Sequence, residues 1–283
     1  MTDVQYVEPY AGGASLALSL LLGEYASTIH INDLSRPVFA FWHSVLNETD
    51  ALCRRIDNAQ VTMDEWQRQR AVYGSRECVS LRELGFATFF LNRANRSGII
   101  SGGVIGGKRQ TGAWSIDARF NKGELIQRIR RIARYKNRIH LYHMDGLDFT
   151  IQVVPQIAPN AFVFYDPPYI EKGKDLYLND YDLADHRKLA ARVVQLEQPW
   201  VATYDYEAAT RHRLYQGCRR LSFELSYRAQ GRHCAREVMF LADCLRLPPA
   251  WRPGVTLPMT PSHSRYPVHG VMETEGSGRT SSR

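Results

Sequence analysis

The chain has 283 residues, 44% of them hydrophobic and 23% charged, which is an ordinary composition for a soluble globular protein with a sizeable core. No apolar run reaches the ~18 residues of a membrane span, the start does not resemble a secretory signal, and the five scattered cysteines form no Cys-x-x-Cys pair. We therefore expect a cytoplasmic protein that binds no membrane and no metal, and its formal charge of +7 favours a polyanionic partner.

The first predicted strand runs from Val4 to Glu8, and a glycine turn then leads into a leucine-rich helix that ends at Gly23. Gly12 and Gly13 let the backbone approach a ligand closely, as in nucleotide-type cofactor sites. The spacing is not Gly-x-Gly-x-x-Gly, and no phosphate-loop Lys-Ser/Thr follows. The turn therefore favours a cofactor without phosphates, although glycine pairs are also common in ordinary turns.

The second predicted strand, from Thr28, ends in Asp33, about twenty residues after the glycine turn. An acid at this place in a Rossmann-like unit accepts hydrogen bonds from the two ribose hydroxyls of an adenosine group. Asp33 and Ser35 can also cap the helix that begins near Pro37. The two interpretations are compatible, because a strand-end acid can lie beside the start of a helix.

Residues 51–134 are interpreted as an inserted recognition module. They are charged and mainly helical in pattern, and they include a glycine-rich, basic stretch from Ile99 to Trp114. A long stretch of this kind inside a compact domain is usually either functional or disordered. Arginines and amides contact phosphates and base edges in nucleic acids. The predicted nucleic-acid contacts are Asn92, Arg93, Asn95, Arg96, Lys108, Arg109, Arg119 and Asn121.

A basic helix is predicted from Lys122 to Arg138, with an apolar stripe at helical spacing. Its charges are almost all positive, with only Glu124 opposing them. Such a face is either solvated or turned towards phosphates. The next predicted strand ends in Asp145-Gly146. His140 and His143 on that strand point to opposite faces, so we reject them as a metal pair.

The strand Ala161 to Tyr165 is followed by Asp166-Pro167-Pro168-Tyr169, which places a carboxylate, a proline carbonyl and an aromatic ring at the carboxyl edge of a sheet. The prolines fix the local backbone before any ligand binds. This set suits an exocyclic amino group: Asp166 and the Pro167 carbonyl each accept one N–H, and Tyr169 stacks on the ring. The alternative is a strand followed by an ordinary turn.

The rest of the chain completes an α/β pattern. A helix is predicted from Tyr181 to Leu196, a strand from Trp200 to Tyr204, and a hairpin from Leu221–Tyr227 and Glu237–Cys244. Residues 248–283 are rich in Pro, Gly, Ser and Thr and are expected to be largely disordered. The predicted fold is a Rossmann-like sheet formed by residues 1–50 and 135–247, with the mainly helical insertion between them.

The chain resembles the DNA adenine methylase (Dam-like) family over roughly residues 4–247, in five segments and in their order. These are Glu8-Pro9-Tyr10-Ala11-Gly12-Gly13, Asn32-Asp33, Phe90-Leu91-Asn92-Arg93, Asp145-Gly146 and Asp166-Pro167-Pro168-Tyr169. The members of this family are alpha-class N6-adenine methyltransferases that use S-adenosylmethionine and have a Rossmann-like methyltransferase sheet. The glycine motif and the Asp-Pro-Pro-Tyr motif together are far more specific than either alone.

The resemblance implies that the cofactor S-adenosylmethionine is bound by Glu8, Pro9, Tyr10, Gly12, Gly13 and Asp33, with Asp145 and Gly146 at its adenine and Asp166 beside it. It implies that Asp166, Pro167 and Tyr169 handle the target adenine, flipped out of double-stranded DNA. No metal is implied, because the cofactor carries the activated group. We also expect a monomer or weak dimer.

One difference from the family keeps alternatives open. Its members usually carry a Pro-Gly-Gly-Lys-type segment before the glycine motif, whereas Met1 lies only seven residues before Glu8. This difference favours a second hypothesis, a catalytically impaired relative that binds DNA. A third hypothesis is methylation of adenine in RNA, which explains the basic insertion less readily. Cytosine N4 methylation more often has Ser at the position of Asp166.

Overall fold

The computed structural model describes residues 3–170, 181–227, 233–247 and 273–274. Within these residues the strands form a single sheet of order β3-β2-β1-β4-β5-β7-β6-β8. The strands are β1 (Gln5–Glu8), β2 (Thr28–Asn32), β3 (Ile139–Tyr142), β4 (Phe162–Tyr165), β5 (Trp200–Asp205), β6 (Arg219–Tyr227), β7 (His233–Leu241) and β8 (Glu273–Thr274).

Strands β1 to β5 are parallel, whereas β7 runs antiparallel to β5 and pairs with β6 as a hairpin. After β1 the chain crosses to β2 and β3 on one side, and later returns to place β4 on the other side of β1. The strand order therefore reverses between β1 and β4. Open α/β sheets bind ligands at the carboxyl ends of the strands that flank such a reversal. The Rossmann-like prediction is confirmed.

Helices follow the parallel strands, as a parallel sheet requires. They are α1 (Ser15–Leu22), α2 (Arg36–Asn47), α3 (Thr49–Asn58), α4 (Met63–Gly74), α5 (Leu81–Ala94), α6 (Lys122–Ala133), α7 (Gly146–Gln152), α8 (Leu183–Val193) and α9 (Tyr206–Arg211). Two of them begin with a capping box, formed by Ser80 and Glu83 at α5 and by Asp182 and Asp185 at α8.

Alternation along the strands divides the core into two layers. Tyr6 faces one layer with residues of α1 to α6, whereas Val7 faces the other with residues of α7 and α8. Both side chains are buried, so each face of β1 is covered. The central strand β4, Phe162–Tyr165, is apolar at every position, as expected of a strand that is covered on both faces.

Between β2 and β3, helices α3, α5 and α6 pack on α2, and α4 packs on α5. They share one apolar layer with the sheet. Trp42 of α2, Phe86 and Phe90 of α5 and Phe120 before α6 belong to this common layer. The boundaries 51 and 134 proposed for a separate recognition module remain a prediction. The helix predicted to reach Arg138 ends at Ala133, and a short 3-10 turn, Lys136–Arg138, leads into β3.

Parts of the sequence-based description fall on residues outside the described ones. They include the loop of the terminal hairpin and most of residues 248–283. The helix predicted from Tyr181 to Leu196 is described, and it is shorter than predicted, because Asp182 caps it at Leu183 and it ends at Val193. The pair Glu273–Thr274 lies against Leu221 and Ser222 of β6. No helix among the described residues combines the length and the apolarity that crossing a bilayer demands.

Candidate active site

The glycine turn after β1 is fixed by Asp33, which lies at the end of the neighbouring strand. The Gly12 amide donates to Asp33 Oδ2 at 2.8 Å, and the Ser35 amide donates to Asp33 Oδ1 at 2.8 Å. Gly12 has a φ of +47°, which favours glycine. The Trp42 indole donates to the Gly12 carbonyl at 2.9 Å. Asp33 thus stabilises both the glycine turn and the start of α2. The helix-capping interpretation is therefore compatible with a place beside the glycine turn, as expected from the sequence.

Glu8 ends β1 inside the protein, only 6% exposed. Its Oε1 accepts hydrogen bonds from the Tyr6 hydroxyl and from the Ala17 amide in the first turn of α1, both at 3.0 Å. Burial raises the pKa of Glu8 to about 7, the two hydrogen bonds oppose this rise, and nearby Asp166 adds to it. Glu8 is therefore a strand-end carboxyl group that titrates near neutral pH.

Asn32 holds three strand ends together, a role that the sequence did not reveal. The side chain is fully buried, and its amide nitrogen donates to the Pro9 carbonyl at 2.9 Å and to the Met144 carbonyl at 3.0 Å. Its oxygen accepts from the Met144 amide at 3.0 Å. Asn32 thereby fixes the segments that follow β1 and β3 relative to each other.

Asp145 caps α7, as its Oδ1 accepts from the Leu147 amide at 2.8 Å and the Asp148 amide at 3.2 Å. Its Oδ2 accepts from the Tyr181 hydroxyl at 2.9 Å. A carboxylate offers about four acceptor positions, so one stays open to a ligand. The Tyr10 hydroxyl donates to that of Tyr181 at 3.1 Å. Gly146 permits this arrangement, because a Cβ there would lie 2.3 Å from the Tyr10 ring.

Asp166 follows β4 at the same edge of the sheet. The Thr203 hydroxyl on β5 donates to Asp166 Oδ1 at 2.8 Å. Asp166 is accessible to solvent, yet the surrounding protein displaces enough water to raise its pKa above the ordinary value, and the Thr203 hydrogen bond opposes the rise. Pro167 is buried, and Tyr169 is half-buried. This segment thus places a carboxylate, a proline carbonyl and an aromatic ring one after another.

The glycine turn and Asp166 are brought together by the pairing of β1 with β4, in which Tyr6 lies opposite Phe162 and Val7 opposite Val163. Beyond Gly13 a Cβ would meet no atom within 4 Å, so space is open at the turn. Acceptors surround this edge, since Glu8, Asp33, Asp145 and Asp166 are all carboxylates. Such an acidic edge can accept hydrogen bonds from hydroxyl and amino groups and attracts positive charge.

Residues 2–228 match the model of the family described as D12 class N6 adenine-specific DNA methyltransferase. The chain belongs to this family. The resemblance to DNA adenine methylases that the motifs indicate is thereby confirmed.

A comparison with curated proteins gave no match. Among solved structures, the chain is similar to protein LPL1258 from Legionella pneumophila, with 12% identity and a TM-score of 0.29. That match covers 61% of this chain and 66% of the other, just under two thirds of its length.

The predicted nucleic-acid contacts begin at the end of α5. Asn92 donates to the Gly98 carbonyl at 2.8 Å and accepts from the Arg93 guanidinium at 2.6 Å. Arg119 donates to the Asn95 carbonyl at 3.3 Å. Burial and the nearby charges of Arg119 and Arg128 lower the pKa of Arg93 to about 10. These three arginines therefore lie close together. None of them forms an ion pair with an acidic residue among the described residues.

Two amides predicted to contact nucleic acid have structural roles, and only one of them is exposed. Asn95 is fully buried, with Oδ1 accepting from the Trp66 indole at 2.7 Å and Nδ2 donating to the carbonyls of Ile99 and Ile100. No polar atom of Asn95 is left for a base, so its assignment as a direct contact is corrected. Asn121 is exposed but caps α6, accepting from the Glu124 amide at 3.4 Å.

The glycine-rich stretch forms an ordered loop. The Gln110 side chain donates to the carbonyls of Ile105 and Gly107, both at 2.7 Å, and accepts from the Ile116 amide at 2.9 Å. Arg96, Lys108 and Arg109 are exposed around this loop, Arg96 with one long hydrogen bond to the Val104 carbonyl.

Trp114 on the same loop is 72% exposed and was missed from the sequence. A tryptophan within a basic, glycine-rich stretch was the available signal, because aromatic rings stack on bases. Large apolar residues are usually assigned to the core, which hid this signal. Among the described residues, no group of three or more His, Cys, Asp or Glu is placed to hold a metal ion.

Proposed function

We propose that this protein transfers a methyl group from S-adenosylmethionine to the N6 amino group of adenine in a specific double-stranded DNA sequence, as a site-specific adenine DNA methyltransferase. The observation that carries the proposal is the meeting of two motifs at the reversal of strand order. The glycine turn after β1 and the Asp-Pro-Pro-Tyr segment after β4 lie on hydrogen-bonded neighbouring strands. A cofactor at one and an amino group at the other would be in contact.

The cofactor would be held by the residues that line the glycine turn and the adjacent strand ends. Asp33 keeps two acceptor positions beyond its bonds to Gly12 and Ser35, enough for the two ribose hydroxyls. Asp145 keeps one acceptor position for the adenine amino group. The assigned set is Glu8, Pro9, Tyr10, Gly12, Gly13, Asp33, Asp145, Gly146 and Asp166.

When bound, the cofactor supplies a methyl group that is already activated on a positively charged sulfur. Asp166 and the Pro167 carbonyl accept the two hydrogens of the target amino group and draw them out of the plane of conjugation. The nitrogen lone pair would then be available for direct in-line attack on the methyl group, so that the new N–C bond forms as the methyl–sulfur bond breaks and the cofactor leaves as a neutral thioether. The methylated nitrogen would lose its extra proton to Asp166 or to water. Tyr169 stacks on the adenine ring, and Asp166 stabilises the positive charge that develops on the nitrogen.

The target adenine reaches Asp166 by base flipping, because its amino group is paired inside a duplex. The DNA backbone and grooves are contacted by the basic surface around α5, α6 and the loop between them. On this surface we assign Asn92, Arg93, Arg96, Lys108, Arg109, Arg119 and Asn121 to the DNA, and we add Trp114. Exposure of the loop residues and the uncompensated arginines near Arg93 support this assignment.

The proposal is tested by incubating the chain with labelled S-adenosylmethionine and four substrates: unmethylated duplex DNA, the same DNA as single strands, RNA, and fully adenine-methylated duplex. We expect label in the first only, recovered as N6-methyladenine on nucleoside analysis, and none with Asp166→Ala. Label in RNA would favour the RNA alternative. Tight binding of duplex without any transfer would overturn the proposed activity.

A further inference from the structure

Thr203 is the polar residue on β5 that lies closest to the proposed amino-group site. Its side chain is buried, with 7% exposed. Its hydroxyl oxygen is 2.8 Å from Asp166 Oδ1 and 3.2 Å from the Tyr165 carbonyl. The strand register explains this placement, because Tyr165 pairs with Ala202 and the next residue on β5 therefore lies beside Asp166.

The hydroxyl carries one proton, and the shorter contact to a carboxylate is the stronger of the two. The proton therefore points at Oδ1, which leaves Oδ2 as the oxygen with no hydrogen bond from the described protein. The Asp166 side chain has little freedom to rotate, because one oxygen accepts the Thr203 hydrogen bond and the two following prolines restrict the backbone. The unbonded oxygen is then presented in a fixed direction.

We propose that Thr203 is a positioning residue for methyl transfer: its hydroxyl fixes Asp166 so that Oδ2 accepts the hydrogen of the target amino group. This inference rests on the proposed function of Asp166. Thr203 does not touch the substrate and acts only through the carboxylate. Because the hydrogen bond is made to the ionised form, it also helps to keep Asp166 in the form that accepts a hydrogen.

The second effect gives a signature that a purely structural role would lack. Loss of the Thr203 hydrogen bond raises the pKa of Asp166 further, since burial already raises it and the hydroxyl opposes that rise. The other titratable groups that interact with Asp166 are Tyr6 and Glu8 on β1 and Tyr204 on β5. They are unchanged in Thr203 variants, so a shift between variants reports on Asp166.

The test compares Thr203→Val, which keeps the shape and loses the hydroxyl, with Thr203→Ser, which keeps the hydroxyl. Single-turnover transfer is measured at saturating duplex DNA and S-adenosylmethionine between pH 5 and 9. We expect Thr203→Val to be slower by about ten- to a hundredfold, the worth of a hydrogen bond to a charged group, with its acidic limb moved to higher pH. Affinities for both ligands should stay within about twofold of the original, because the hydroxyl touches neither.

Thr203→Ser should restore most of the rate and the original acidic limb. Equal rates and equal pH profiles for Thr203→Val and the original protein would overturn the inference, as would a serine variant as slow as the valine one. Failure of the original protein to transfer methyl groups would count against the proposed function instead.

A second readout does not depend on activity. The pKa of Asp166 is followed by carbon-13 NMR of the labelled carboxyl group in each folded variant. It should be higher in Thr203→Val than in the original protein and in Thr203→Ser. Identical titrations in all three would show that the hydroxyl does not control this carboxylate.

Discussion

The sheet edge and the glycine-rich loop are built by opposite rules. At the edge, Glu8, Asp33 and Asp166 each accept at least one hydrogen bond from the protein, so their carboxylates have fixed directions. On the loop, Lys108, Arg109 and Trp114 extend into solvent. The loop backbone is fixed from inside by Gln110 and Asn95, whereas its outer side chains remain adaptable.

The charges of the two regions differ in the same way. The edge is acidic and would receive a cationic cofactor and an amino group, whereas the loop and its flanking helices are basic and would receive phosphates. We infer that side chains are held in fixed positions at the sheet edge, where the methyl group would be transferred. The side chains of the loop stay adaptable, because they would bind a long DNA molecule. Substitutions on the two sides of this contrast should therefore impair the protein in different ways.

Asp33→Ala should have the largest effect, because it removes the proposed ribose acceptors and releases the Gly12 amide together. We expect affinity for S-adenosylmethionine to fall by about a hundredfold or more, since two hydrogen bonds to a charged group are involved. Calorimetric titration measures it. Asp33→Asn keeps one acceptor oxygen and should lose less. Unchanged affinity in Asp33→Ala would remove Asp33 from the cofactor site.

Glu8→Gln should alter how stability depends on pH. The pKa of Glu8 rises from 4.5 to about 7 on folding, so between these values the folded state binds more protons than the unfolded state. The contribution of Glu8 to the stability of the original protein should therefore fall as pH rises through this window and level off above it. Glutamine accepts the same two hydrogen bonds without titrating.

The unfolding free energy of Glu8→Gln minus that of the original protein should therefore increase by about 3 kcal/mol between pH 4.5 and pH 8. Urea denaturation at several pH values provides the measurement. If the two stabilities keep a constant difference across this range, Glu8 does not titrate as its burial implies.

Trp114→Ala should weaken duplex binding by about ten- to a hundredfold, the usual worth of a base–aromatic contact. Fluorescence anisotropy with a labelled duplex measures the dissociation constant. Trp114→Phe keeps a ring and should lose less affinity, which distinguishes stacking from simple loss of volume. An alanine variant that binds as the original protein does would exclude Trp114 from the DNA interface.

Lys108→Ala and Arg109→Ala should each weaken binding only a few-fold, and each should reduce the slope of log affinity against log salt by about one. The matched control is Arg187→Ala on α8, an exposed arginine that lies outside α5, α6 and the loop between them. It removes the same charge and should leave the slope unchanged. An equal change in all three variants would mean that only net charge matters.

The same contrast explains what could be predicted from the sequence. Strand-end acids and a glycine turn share one sheet edge because parallel strands end together, so Glu8, Asp33 and Asp166 could be placed from order alone. Thr203 could not, since a threonine in a strand is ordinary and only the register with β4 puts it beside Asp166.

At the end of α5 and in the loop, residue type alone does not predict which side chains are exposed. Asn92 and Asn95 are three residues apart on one stretch, yet Asn95 is fully buried and Asn92 lies half-buried next to Arg93. The direction of each depends on how the chain turns after α5, which local pattern does not encode. Trp114 shows the converse, an apolar side chain directed outward by a loop whose inner positions are filled by Val104 and Ile116.

The most direct test of the account measures single-turnover methyl transfer against duplex concentration for Trp114→Ala and Asp166→Ala. Plasmid DNA without adenine methylation serves as substrate, with saturating labelled S-adenosylmethionine. We expect Trp114→Ala to approach the original rate once DNA saturates it, and Asp166→Ala to stay at least about a hundredfold slower at every concentration. Recovery of Asp166→Ala at high DNA, or a Trp114→Ala rate that never recovers, would contradict the division between a chemical edge and a capturing loop.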